Sequence, residues 1–340
     1  MTRHLLALSL LLCGSAALAE VVMDGDLRVL RIRACADEEL RARDTWEQEV
    51  IDHLEFASGM YENSWGVTFD VVEIVEWETD NDGEGMGDLV DELELDIPTD
   101  GVDVVIGFSA QKPRRGKLSK YVALPWGLTP SLGRASMIRA MVDDESYDLH
   151  LAVVHEIAHL FGAFHVERQD SVMRETVDGP RTFQFDVENG KLMRLMRDYD
   201  FVAGVEAISP ATADRITQIW KKGAVKHDSS PLAEALYNRG IELMNEDDLE
   251  GAIEVWKRSA KADATFAGAR GTLGLAYSDL GRYDEAIREL KAAEKLGWPD
   301  ARQWIEYIRH EMGAENKADP DEAEIVEKDL TIRDEDGGEG

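Results

Sequence analysis

Cysteine is almost absent from this sequence. Two thiols in 340 residues, Cys13 and Cys35, cannot supply a disulfide framework. Histidine is also scarce, at 8 residues, so any clustering of it carries information. Basic residues are outnumbered: 37 Lys and Arg against 69 Asp and Glu leave a net charge of −32, which argues against nucleic acid and anionic membrane surfaces as partners. Long apolar runs are missing too. The run Leu5–Leu12 is too short to favour a membrane span, and no later stretch qualifies as one.

That short run has another reading. Met1-Thr2-Arg3-His4 is weakly basic, and Ala17-Leu18-Ala19 is a small-x-small signal, so residues 1–19 are expected to be an export signal cleaved after Ala19. The protein is then secreted or periplasmic, and Cys35 is left without an intramolecular partner. Leu10-Leu11-Leu12 stands before Cys13 where a lipid-attachment signal wants small residues, so plain export is favoured over an anchor.

Three of the eight histidines fall in one stretch, His155-Glu156-Ile157-Ala158-His159-Leu160-Phe161-Gly162-Ala163-Phe164-His165. On a helix, residues four apart leave the same face, so His155 and His159 can grip one metal ion. Glu156 lies between them, where a carboxylate can reach a water on the metal without ligating it. Gly162 permits a positive φ, which ends the helix and turns the chain so that His165 returns as a third nitrogen. Three imidazoles suit zinc and leave one position open. His53 sits within a helix pattern, His150, His227 and His310 lack partner spacing, and none of these is assigned to a metal.

The H-E-x-x-H-x-x-G-x-x-H pattern resembles the metzincin clan of zinc metallopeptidases, and Ser171-Val172-Met173 is similar to that clan's Met-turn. The resemblance covers about Val21–Gly204. It implies an α+β catalytic domain, a mixed twisted sheet plus a zinc helix, in which one zinc ion and the Glu156 base hydrolyse peptide bonds. The elements read along the chain agree in order. They are an alternating strand at Leu27–Arg33, a helix at 44–63, a strand at 67–77, a short helix at 88–95, strands at 102–108, 121–124 and 135–142, and the zinc helix from about Tyr147. By the same resemblance Tyr121–Leu124 is the edge along which substrate lies, and Val187–Tyr199 is the last helix. The branch, matrixin-like or astacin-like, stays open: Val166 follows the third histidine, and Glu175 occupies a place where some branches carry tyrosine. Cys35 has two readings, a latency thiolate on the metal or a small buried residue ending the first strand. Arg33-Ala34-Cys35-Ala36-Asp37 lacks the glycine and proline of such a switch, which favours the second.

Two charged loops invite ligands. Asp80–Glu84 is rich in hard oxygen donors, but with Gly83 in the sixth place the twelfth is Leu89 rather than Glu, so calcium is unsupported and a solvated loop is expected. Lys112–Lys117 reads as a basic surface hairpin.

Ser209-Pro210 starts a further helix, Lys221–Pro231 reads as a linker, and a 34-residue repeat follows. Gly240 recurs as Gly274, Leu243 as Tyr277, Leu249 as Tyr283, Ala252 as Ala286 and Trp256 as Leu290. Spacing and small/large pattern resemble tetratricopeptide repeats, an all-α helical module that binds protein partners. Residues 301–312 are expected to cap it, and the acidic 313–340 to form a disordered tail. The expected organisation is thus 1–19, 20–225, 226–312 and 313–340. Two functions stand: an exported zinc endopeptidase whose repeats recruit substrate or partner, and a non-catalytic scaffold built on a degenerate peptidase domain. Glu156 favours the enzyme.

Overall fold

The computed structural model describes residues 27–80, 85–111, 127–140, 146–175, 182–226 and 228–315. The expected export signal, the strand at Tyr121–Leu124, the basic loop, most of the acidic loop, His227 and the tail beyond Glu315 lie outside them.

Among the described residues, the first half holds a five-stranded sheet in the order β2-β1-β3-β5-β4. Strands β1 (Arg28–Ala36), β2 (Val67–Glu76), β3 (Val104–Ser109) and β5 (Ala135–Arg139) are parallel to their neighbours, while the short β4 (Gly127–Leu128) runs antiparallel to β5. Parallel neighbours require crossovers. Helix α2 (Trp46–Trp65), after the single turn α1 (Glu38–Arg41), links β1 to β2, and α3 (Met86–Asp96) links β2 to β3.

Alternation along β1 persists only through Ile32; Ala34, Cys35 and Ala36 are all buried. Helices on both faces explain this. Ala34 and Ala36 join Leu54, Tyr61, Val154 and Ile157 in the main core, whereas Cys35 joins Leu89, Leu93 and Met137 beneath α3. Burial and the nearby charge of Asp37 push the Cys35 thiol well above its ordinary range. A buried, protonated thiol in the cluster under α3 is not placed as a ligand to a metal held by the histidines.

Helix α4 (Ser146–Leu160) packs on α2, where the fully buried Tyr61 donates its hydroxyl to the Val154 carbonyl at 2.9 Å. After α5 (Val187–Met196) comes α6 (Pro210–Gly223), capped by Ser209 through Thr212 N as its sequence implies. The described residues of the expected linker, 221–226 and 228–231, are built into the fold. Lys221–Gly223 complete α6, Val225 is buried, and Pro231 already opens the next helix.

Five helices follow: α7 (Pro231–Asn245), α8 (Leu249–Ala262), α9 (Ala267–Asp279), α10 (Tyr283–Lys295) and α11 (Ala301–Glu315). The repeat is visible in atomic detail. A Cβ on Gly240 would stand 2.2 Å from Trp256 Nε1, and one on Gly274 2.7 Å from Leu290 Cγ, so each glycine admits the large residue of its own repeat. The turns inside the two pairs match as well: Asp247 and Gly281, 34 apart (281 − 247), take φ of 65° and 68°. The main core runs on from the sheet into Leu232, Leu236 and Trp256 of the repeats. No helix among the described residues is long and apolar enough to cross a membrane.

Candidate metal centre

His155 and His159 lie one turn apart near the C-terminal end of α4. The helix then stops: Gly162 adopts φ +83° while its N–H still reaches the His159 carbonyl at 2.8 Å. That left-handed residue swings the chain back. The returning segment is pinned by Asn189 of α5, which accepts from Phe164 N at 3.0 Å and donates to Phe164 O at 2.9 Å. Asn189 is in turn held by Asp186 at 2.8 Å, and Asp186 also accepts from Ser171 Oγ at 3.0 Å. This buried polar knot fixes the third histidine's segment and the turn at Ser171–Met173 to one helix cap.

The three imidazoles converge. His159 Nε2 and His165 Nε2 lie 3.1 and 3.3 Å from His155 Nε2, and ligand atoms of the three residues all fall within 4.8 Å of one another. A tetrahedral zinc ion with Zn–N bonds of about 2.0–2.1 Å needs its nitrogens about 3.3 Å apart, so the residues fit that ion. Each opposite ring nitrogen has its own partner: His155 Nδ1 the Val172 carbonyl at 2.8 Å, His159 Nδ1 the Ala163 carbonyl at 2.7 Å, and His165 Nδ1 the Asp228 carboxylate at 3.1 Å. Every Nε2 is therefore left to the cluster.

Electrostatics separate the three. Burial, then the His165 charge, brings His155 down to about 4, and burial with both neighbouring histidines pushes His159 well below its ordinary value. Neutral imidazole is the form that binds metal. Burial also works downward on His165, but the Asp228 hydrogen bond and charge, with Glu156 and Glu175, leave it raised.

Glu156 stands beside the cluster and is not one of its members. Only 7 % of it is exposed, and burial lifts its carboxyl to about 7 against the opposing pull of Thr129 and His165. Thr129 donates its hydroxyl to Glu156 Oε2 at 2.8 Å, and its oxygen lies 2.7 Å from Ser136 Oγ. Gly127 of β4 lies directly against the same side chain. Neither Gly127 nor Thr129 is marked by any local pattern, and Asp228 sits in the segment read as a linker.

Met173 is completely buried, its N–H held by Ser171 Oγ at 3.1 Å and its carbonyl accepting from Val166 N at 2.9 Å. The turn is thus stitched to the chain just past His165, and its Val172 carbonyl reaches His155. Glu175 is exposed, as a turn residue, although its charge is felt at His165. Of the remaining histidines, His53 and His150 pair with each other, Nδ1 to Nδ1 at 2.8 Å, and His310 is exposed on α11.

Comparison with known proteins gives two family matches. Residues 26–184 match the model of Metallo-peptidase family M12, and residues 267–296, the second helical pair, match a tetratricopeptide repeat. No curated protein matches the chain. Among solved structures, archaemetzincin from Methanopyrus kandleri is similar at 15% identity and a TM-score of 0.37, over 50% of this chain and 96% of that one. A structure of a chaperone–substrate complex is similar at 10% identity and a TM-score of 0.39; the match covers 53% of this chain but only 36% of that chain's length.

Proposed function

We propose that this protein is a zinc-dependent metalloendopeptidase. The observation that carries the reading is the convergence of three Nε2 atoms with a buried carboxyl beside them that is left out of the cluster. The M12 match over the same residues supports it.

In this reading His155, His159 and His165 hold one zinc ion. The ion supplies Lewis acidity, activating a water and polarising the scissile carbonyl. Glu156 takes the water's proton as the carbonyl is attacked and returns it to the leaving amine. Its carboxyl, lifted toward neutrality by burial, suits both halves of that task. Thr129 and Gly127 aim it: one holds Oε2, the other leaves room for the side chain under β4. A peptide lying along β4 would pass its scissile bond beside Glu156. Burial of Glu156 and His159 keeps bulk water from competing, while the partly exposed His155 and His165 face the approach.

The helical repeats are read as the partner- or substrate-recruiting part, with a groove of ≈ 710 Å³ lined by Arg270, Asp284, Ile287, Arg288, Lys291 and Lys295. Export to the periplasm or the medium rests on the sequence of residues 1–19.

The test is metal dependence. Purified protein should contain one equivalent of zinc and cleave an unfolded protein substrate. A chelator should abolish cleavage, and stoichiometric zinc should restore it. Zinc-loaded protein that cleaves nothing would leave the scaffold reading in its place.

A further inference from the structure

We propose that Asp228 is a positioning residue for the third metal ligand, so that the metal site is completed by the segment opening the helical repeats. The inference rests on the zinc reading above. His155 and His159 are carried by one helix, and their Nδ1 atoms are satisfied by backbone carbonyls of Val172 and Ala163. His165 differs on both counts. It lies on non-helical chain past Gly162, its side chain is 29% exposed, and its Nδ1 partner is the carboxylate of Asp228 at 3.1 Å. A carboxylate fixes the Nδ1–H tautomer, holds the ring plane and makes Nε2 a better donor. The least supported of the three ligands thus has the strongest outer partner.

The contact is built rather than incidental. Val225 N donates to the His165 carbonyl at 3.1 Å and Asp228 N donates to the Val225 carbonyl at 3.3 Å, so one turn grips His165 by backbone and ring together. Two residues on, Ser230 N donates to Asp263 Oδ2 at 3.2 Å, tying the turn to the end of α8. From α7, the partly buried Glu234 accepts from Ser131 Oγ at 2.9 Å, two residues from Thr129. The segment leading into the first repeat thus contacts His165, and α7 contacts Ser131, two residues from the Thr129 that holds Glu156.

Zinc affinity of the full chain, by competition with a chromophoric chelator, decides the matter. Asp228→Asn and Asp228→Ala should raise the zinc Kd about 10–100-fold, the usual cost of losing an outer-sphere partner. Asp228→Glu should recover part of it, and the melting temperature of the metal-free protein should stay near wild type. In a His165→Ala background, Asp228→Asn should change the Kd no further. Wild-type affinity in the single variants, or an equal extra loss in that background, overturns the proposal. A loss that merely tracks lowered melting overturns it as well. A measurement free of variant folding is the nitrogen-detected NMR spectrum of the zinc-loaded wild type. A slowly exchanging Nδ1–H on His165 is required, and its absence contradicts the assignment. If the wild type binds no zinc, the underlying reading fails instead.

Discussion

Gly127 and Glu156 are in such close contact that a Cβ on the glycine would lie 2.4 Å from Glu156 Cγ. The edge strand can cross the proposed general base only because this residue has no side chain. Gly127→Ala must therefore displace the carboxylate. Misplacement of a catalytic group by about 1 Å costs on the order of 10²-fold, so kcat should fall by about that factor. Zinc affinity should stay near wild type, because the nearest atoms an added Cβ would meet belong to Glu156 and not to a ligand of the cluster. Steady-state kinetics with a zinc titration on the same preparation checks both halves.

Metal retention depends on all three imidazoles. His159→Ala, which removes the most buried of them, should weaken zinc by more than the about 10–100-fold expected for an outer partner. Metal binding is also folding free energy. The variant should therefore lose the rise in melting temperature that added zinc gives the wild type. Calorimetry with and without zinc reads this directly.

The His53–His150 pair predicts an acid-sensitive fold. Burial, then the neighbouring His150, lowers His53 to about 4, with Glu49 and Asp52 opposing; burial lowers His150 as well. Phe56 stacks on His150 at 4.2 Å between centroids. Because the folded-state values lie below the unfolded one of 6.5, the unfolded chain takes up the protons first. The contribution of His53 is whole above about pH 6.5 and is lost as the pH falls toward 4, with a slope approaching about 1.4 kcal/mol per pH unit, and the lowered His150 acts in the same direction. His53→Gln should flatten that acid limb relative to wild type in denaturant titrations from pH 7 to 4.

Gly240→Ala tests the repeat packing. The added methyl meets Trp256 Nε1, which donates to the Tyr237 carbonyl at 3.1 Å. Overpacking a filled core costs about 1–3 kcal/mol, and displacing the indole adds the loss of that bond. A lower thermal midpoint is expected, whereas Gly59→Ala, where an added Cβ meets nothing within 4 Å, should not move Trp256 fluorescence.

How much was legible in the sequence follows from how local each contact is. His155, His159, Gly162 and His165 are joined by helix periodicity and one turn, so spacing alone brings them together on paper. The start of β1 and the helices of the first half are likewise written in periods of two and 3.6, while β3 shows itself only as a compact apolar run. Gly240 and Gly274 reveal themselves because the repeat states the same packing twice. Asp228 is different: its contact with His165 exists only after α5 and α6 have folded back, and its neighbours carry no pattern. Gly127 and Thr129 belong to a strand of two residues, too short for any alternation. Asn189 and Asp186 look like an ordinary helix start, and only the tertiary structure shows that this cap holds the segment leading to the third histidine.

The most direct measurement is kcat on an unfolded protein substrate for wild type and Glu156→Gln, each brought to one zinc per chain. Glutamine keeps the size of the side chain and removes its capacity to take a proton. General-base catalysis contributes about 10²–10⁴-fold, so kcat should fall by that order with zinc content unchanged. Equal cleavage by the two proteins, at equal zinc, would contradict it.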